Sequence, residues 1–301
     1  MSGSVFVFEY LSAGDGAGAH AADLLAEGRA MRDAVAADLR AAGLRVAVAG
    51  IDCRPEPDED RVGFVRRQAV ARAACWVVAP ESGGLLQRLH AAVCGAAGAA
   101  RWVGCDARSS AIASSKRATL ERLAAHGVAT PLDATAARAW VVKPDDGAGC
   151  VATRRHADEG AARADLARRR AAGEPATLEP WIDGEPLSLA LLCRGGAAEL
   201  LAVNRQRVSV DAGGLLHLEG VDVAAVAPDD RRRPALRALG DAVARALPGL
   251  AGYVGVDLVW NARRGPVAIE VNPRVTSAYV GLSRSLGRNL AREIVAPHLD
   301  G

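Results

Sequence analysis

The sequence predicts an α/β protein: an amino-terminal domain with a parallel, Rossmann-like sheet, then a longer region of two α+β parts. Three observations predict this. Apolar, β-rich runs alternate with helical stretches over residues 1–106, the pattern of strands joined by crossover helices. A polar stretch of small residues, 106–115, follows and reads as a linker. From Thr177 onward, strand-like runs follow one another closely, as in an antiparallel meander.

The elements can be justified in order. Residues 4–10 form the first apolar run, and a glycine-rich loop follows at 14–18. Residues 27–42 carry helical periodicity and stop at Gly43, a natural helix end. Strands are expected at 44–49, 75–79 and 101–105, with a helix at 81–95. Beyond the linker, residues 116–126 read as a helix ended by Gly127 and Pro131. A strand at 139–143 stops at Pro144 and opens into a loop holding Gly147 and Gly149. A charged helix is expected at 157–172, then strands at 177–181, 186–193 and 199–203. A helix at 233–247, strands at 253–260 and 267–271, and a helix at 282–295 complete the chain. The expected divisions are 1–106, 107–175 and 176–301.

Composition excludes several functions. The chain has 301 residues, half of them hydrophobic, and a net charge of +2. Such a charge gives no electrostatic case for nucleic acid or an anionic membrane as a main partner. No apolar run approaches the roughly 20 residues that span a bilayer. The first basic residue is Arg29, so neither a secretory nor a mitochondrial leader is expected. The six cysteines form no CxxC pair and read as thiols of a reducing cytoplasm. Of 37 basic residues only two are lysine, Lys116 and Lys143. Where arginine serves everywhere else, two lysines suggest sites that need a compact point charge.

Three segments carry chemistry. In Gly252-Tyr253-Val254-Gly255-Val256-Asp257 and Val267-Ala268-Ile269-Glu270-Val271-Asn272, polar residues interrupt apolar strands. Glu270 and Asn272 are two apart and so share a face. If the two strands pair, Asp257 joins them, and two carboxylates with an amide oxygen suit Mg²⁺ bridged to phosphate. Arg274 follows Pro273 beside that spot and could grip a phosphate or carboxylate. The second segment delivers Lys143 into the Gly147/Gly149 loop, whose backbone could close over phosphates. The third, Glu179-Pro180-Trp181-Ile182-Asp183-Gly184-Glu185, could offer backbone groups and apolar walls to an adenine, with Glu185 on ribose hydroxyls. Edge-strand polarity and ordinary turns are the bland alternatives for each.

Together these segments resemble the ATP-grasp superfamily over about residues 107–296. The resemblance implies a pre-ATP-grasp domain followed by an ATP-grasp fold, and it implies roles. Lys116 and Lys143 would hold nucleotide phosphates, as would Gly147 and Gly149. Glu179, Trp181 and Ile182 would hold adenine, and Glu185 the ribose. Asp257, Glu270 and Asn272 would bind two Mg²⁺ ions, replaceable by Mn²⁺, and Arg274 would contact phosphate or acyl phosphate. Lys143 and Arg274 would act in catalysis. One departure is Cys150, where many relatives carry a further glycine.

A narrower resemblance rests on Val7-Phe8-Glu9-Tyr10, Glu27-Gly28, Ala79-Pro80-Glu81 and Glu270-Val271-Asn272-Pro273-Arg274-Val275-Thr276. It is to the tyramine–glutamate ligases of methanofuran and methylofuran synthesis. It implies an ADP-forming ligase joining the glutamate γ-carboxyl to tyramine through an acyl phosphate, with small molecules as partners and room for a homodimer. No protein nucleophile is needed, in keeping with the lack of a Ser/His/Asp or Cys/His arrangement. Glu9 and Glu219 are weak candidates for the base that frees the amine.

Two competing readings remain. Gly14-Asp15-Gly16-Ala17-Gly18-Ala19 fits a dinucleotide fingerprint, with Asp52 as its acid, and would mean an oxidoreductase. The spacing is poor and both lysines stay unexplained. A non-catalytic ATP-binding module is the third reading, and the complete metal set argues against it.

Overall fold

The computed structural model describes residues 4–14, 21–134, 137–147 and 149–299. Its first layer is a parallel sheet in the order β2-β1-β3-β4: β1 (Ser4–Glu9), β2 (Arg45–Val48), β3 (Ala74–Val78) and β4 (Trp102–Val103). The connections are α1 (Ala21–Ala41), α2 (Arg61–Ala71) and α3 (Leu85–Ala97). Alternation explains why these strands are apolar throughout. Val5, Val7, Trp76 and Val78 enter one core, and Phe6, Phe8, Cys75 and Val77 enter another on the opposite face. A parallel sheet covered on both faces needs both sets. Each such side chain, fully buried, contributes roughly 1.5–3 kcal/mol.

The expected linker is a helix, α4 (Ala107–Ala113), followed directly by α5 (Lys116–Ala124). Its small polar residues hide a capping signal: Asp106 accepts a hydrogen bond from the Ser109 N–H at 2.7 Å. Ala113, Leu123 and Val128 then join the core beneath the large carboxyl-terminal sheet.

A three-stranded antiparallel sheet, β6-β5-β7, contains β5 (Trp140–Pro144), β6 (Arg154–His156) and β7 (Ala176–Pro180), with α6 (Glu159–Ala171) between β6 and β7. So β7 pairs with β5, past the expected division at 175, and does not begin the meander. The meander is the five-stranded antiparallel sheet β10-β9-β8-β11-β12. It holds β8 (Glu185–Arg194), β9 (Ala197–Val210), β10 (Leu216–Asp222), β11 (Gly252–Asn261) and β12 (Gly265–Asn272), with α7 (Arg233–Ala246) on one face. The expected last helix is two, α8 (Leu282–Leu286) and α9 (Leu290–Val295), broken at Gly287 with φ 65°. These two helices and α1 fill the core that joins the parallel sheet to the other face of the large sheet. No helix among the described residues is long and apolar enough to cross a membrane.

Candidate active site

A cavity of about 660 Å³ runs between the two antiparallel sheets and reaches the parallel sheet. The β11–β12 register puts Asp257 opposite Glu270 and Gly255 opposite Asn272. A bulge after Asp257 shifts the pairing, and Ile269 joins Glu270 and Asn272 in the cavity wall. The Asn272 amide donates to Asp257 Oδ2 at 3.1 Å, which leaves the Asn272 carbonyl oxygen as the atom able to ligate. Gln206, from β9, donates to Asp257 Oδ1 at 2.9 Å. Burial pushes the Asp257 carboxyl well up, and the facing Glu270 pushes it further. Two half-buried carboxylates facing one another repel, and a divalent cation held by them would relieve that repulsion. Among the described residues no three His, Cys, Asp or Glu side chains gather as a metal cluster, so a cation here would need the Asn272 amide oxygen as its third protein ligand.

Both lysines are buried and face this cavity. Lys116 opens α5, whose N-cap Ser115 accepts from the Ala118 N–H. Its Nζ lies 3.1 Å from Glu270 Oε1 and donates to the Gly147 carbonyl at 2.9 Å. Burial alone would lower the ammonium pKa, but Glu270 more than offsets this and holds it above its ordinary value. Asp145 fixes the geometry: its carbonyl accepts from the Lys116 N–H, and its carboxylate accepts from Ser115 Oγ and the Arg117 N–H.

Lys143 Nζ lies 2.8 Å from Glu179 Oε2, with the two side chains 6% and 3% exposed. Burial raises the Glu179 carboxyl despite that pairing. Its Oε1 has no hydrogen-bond partner among the described residues. A buried orphan acceptor at the cavity wall fits a ligand N–H, such as the exocyclic amine of adenine. The Trp181 backbone N–H is committed to the Ala139 carbonyl, so it is not the donor for an adenine edge. Trp181 and Ile182 line the cavity.

Glu185 is a correction. It does not line the cavity; it is held by Arg205 at 2.8 Å and Arg232 at 2.5 Å. The reason is strand alternation. Pro186 faces the cavity, while Leu187 and Leu189, in phase with Glu185, enter the core under α7.

Gly147 and Gly149 adopt φ 96° and 73°, within the region that favours glycine. Cys150 adopts φ 60°, a conformation in which a glycine would be unstrained. Its thiol is pushed up to about 11, chiefly by burial, and stays protonated. Asp146 accepts from the Gly83 N–H at 2.8 Å, tying this loop to the amino-terminal sheet.

Arg274 donates from Nε and Nη2 to the two oxygens of Glu81, at 2.9 and 3.1 Å. Glu81, buried just past β3, is a residue whose position sequence reasoning did not supply; the same holds for Gln206 and Asp145. Glu9 lines the cavity, whereas Glu219 is exposed and does not. Of the dinucleotide fingerprint, 15–19 lie outside the described residues. Asp52 accepts from the Val48 N–H and pairs with Arg40, which ties it to its own turn.

Comparison with known proteins bears on the family and the fold. Residues 113–278 match the family model described as an ATP-grasp domain, and residues 31–112 match a pre ATP-grasp 3 domain. None of the curated proteins compared matches the sequence. Among solved structures, an ATP-grasp superfamily protein from Archaeoglobus fulgidus is similar at 22% identity and TM-score 0.72, covering 98% of this chain and 88% of that one. VanG D-Ala:D-Ser ligase from Enterococcus faecalis is similar at 14% identity and TM-score 0.70, covering 99% and 100%. D-alanine–D-alanine ligase from Bacillus anthracis, complexed with ATP, is similar at 16% identity and TM-score 0.70, covering 99% and 98%.

Proposed function

Because the chain belongs to the ATP-grasp family, we propose that it is an ADP-forming ligase that joins a carboxylate to an amine. One observation carries the reading: both lysines, the Asp257/Glu270/Asn272 set and Arg274 converge on a single cavity that continues to the amino-terminal sheet. A free carboxylate does not acylate an amine at neutral pH, because hydroxide is a poor leaving group. Phosphoryl transfer from ATP makes an acyl phosphate, the amine adds, and phosphate leaves. Such transfer needs positioning and charge neutralisation rather than a protein nucleophile.

Placement supports the following roles. Lys143 and Lys116 neutralise phosphate oxygens, and the Gly147–Gly149 loop covers them. Glu179 Oε1 accepts from the adenine amine, while Val141, Ile182 and Leu258 wall the ring. Asp257, Glu270 and Asn272 would hold Mg²⁺, which would supply positive charge against the charge that develops during phosphoryl transfer. Arg274, oriented by Glu81, faces the terminal phosphate and the acyl oxygen. For the substrates, the resemblance to tyramine–glutamate ligases supports the glutamate γ-carboxyl and tyramine.

The test is a screen of acid–amine pairs for ADP release, followed by ¹⁸O transfer. With ¹⁸O in the reacting carboxyl, one labelled oxygen should appear in the released phosphate. AMP formation, or turnover without label in phosphate, rules out the acyl phosphate. Faster turnover of another pair overturns only glutamate and tyramine.

A further inference from the structure

We infer that the amino-terminal end of the cavity is a subsite for a primary ammonium group carried on an apolar body, with Glu9 as its acceptor. The inference rests on the ligase reading for the bound molecule being a substrate.

The sheet order β2-β1-β3-β4 reverses direction between β1 and β3. At such a switch point the connections leave in opposite directions, and a crevice opens beyond the carboxyl ends of the two strands. Glu9 ends β1, opposite Val78, which ends β3. Glu9, Leu11, Val78, Pro80 and Ser82 all line the cavity, so the crevice is continuous with the candidate phosphate end.

Glu9 is built into this crevice. It is 3% exposed. Its carboxylate accepts from the Leu11 N–H at 3.1 Å and the Ser12 N–H at 2.7 Å, which fixes its direction. It makes no ion pair with any described residue. Helix α1 passes directly over it because residue 28 is glycine: a Cβ there would fall 2.6 Å from the Glu9 carboxyl carbon. Leu24, Gly28 and Met31 lie at i, i+4 and i+7, one face of α1. Leu24 and Met31 thereby give the crevice an apolar wall beside the carboxylate.

A buried carboxylate on a cavity wall selects a charged donor, and a primary ammonium offers three N–H groups at a point. At the opposite end Lys116, Lys143 and Arg274 are each paired with a carboxylate, Glu270, Glu179 and Glu81, whereas Glu9 keeps its charge without a cationic partner among the described residues. The ammonium has two sources, the α-amino group of the activated acid or the attacking amine.

Isothermal titration separates them. L-Glutamate is compared with glutarate, and tyramine with 4-ethylphenol, on wild type and Glu9→Gln, with and without a non-hydrolysable ATP analogue and Mg²⁺. In at least one pair, wild type should favour the ammonium-bearing member by roughly tenfold, the worth of one charged hydrogen bond. Glu9→Gln should reduce that ratio to about threefold or less. Nucleotide affinity should stay unchanged. The pair that collapses identifies the source. Equal binding within both wild-type pairs overturns the inference, as does an undiminished ratio in folded Glu9→Gln. If Glu9→Gln does not fold, Gly28→Ala decides. It removes a helix glycine while crowding the carboxylate, and it should narrow the same ratio; an unchanged ratio overturns the inference. Failure of wild type to bind the nucleotide analogue overturns the ligase reading instead, and the nucleotide-free ratios still decide the subsite.

Discussion

The two ends of the cavity are built in different ways. At the carboxyl-terminal end, functional groups stand on antiparallel strands, and the densest set stands on two strands that are neighbours in sequence. Asp257, Glu270 and Asn272 come from one hairpin, and Lys143 and Glu179 from paired strands β5 and β7. At the amino-terminal end, Glu9 and Glu81 follow parallel strands separated by a crossover and by β2. Parallel pairing brings together residues far apart in the chain, whereas a hairpin brings together near ones. A chemistry-bearing site can therefore be legible at one end and silent at the other.

The largest effect is expected at the hairpin. Glu270→Gln removes the charge that pairs with Lys116 and that, in the proposed role, would hold a cation together with Asp257. Activity should fall by at least ~10²-fold, and excess Mg²⁺ should recover part of it. Steady-state rates over a Mg²⁺ series check this. An unchanged rate with unchanged Mg²⁺ dependence would make Glu270 a structural residue and leave the hairpin end without its chemistry.

Lys143 comes next, and the structure changes how it must be tested. Lys143→Ala strands the Glu179 carboxylate, 3% exposed, without its partner. Breaking a buried pair this way costs about 3–5 kcal/mol, so lost activity would be confounded with lost fold. Lys143→Arg keeps the charge but replaces a point with a planar fork. Its kcat should fall by roughly 10²-fold with thermal stability largely kept. Full activity with arginine would remove the reason for the two lysines in an arginine-rich chain.

At the other end, Glu81→Gln tests whether Arg274 acts through its orientation. The substitution keeps a hydrogen-bond acceptor but weakens the two-point hold seen at 2.9 and 3.1 Å. A misplacement of about 1 Å can cost on the order of 10²-fold, so kcat should drop by about 10- to 100-fold. The KM for ATP should change little, because Glu81 does not line the cavity. A matched rise in KM for ATP with kcat intact would place Arg274 on nucleotide binding alone.

What the sequence made legible follows the same division. Asp257 and Glu270 stood out because charge inside apolar strands needs a reason, and Lys116 and Lys143 stood out by scarcity. Glu185 misled because a motif has no phase: one residue along β8 reverses the face. Glu81 sat in a stretch that read as a helix start, and Gln206 lies 51 residues from Asp257, the carboxylate it meets. The helix at 107–113 was hidden by serines and alanine, and only its cap at Asp106 distinguishes it from a linker. Tertiary pairing decides each of these.

The smallest catalytic effect should come from beneath the glycine loop, where stability rather than chemistry is at stake. Asp165 is 8% exposed and accepts hydrogen bonds from His156, Arg168 and Arg169, and Arg169 also donates to the Ala152 carbonyl at the far end of the loop. Burial would raise the Asp165 carboxyl, but these donors outweigh it and hold it below its ordinary value. A lowered folded-state pKa means the stabilisation is fully present above the unfolded value near 3.8 and is lost as pH falls through the folded value. Asp165→Asn should therefore lower unfolding free energy by about 2 kcal/mol at pH 7, and the gap from wild type should shrink below about pH 4. Denaturant melts at both pH values check this, and kcat should change by less than about threefold because Asp165 does not line the cavity. A gap that persists unchanged at low pH would mean that the loop is anchored by packing of α6 rather than by the Asp165 charge.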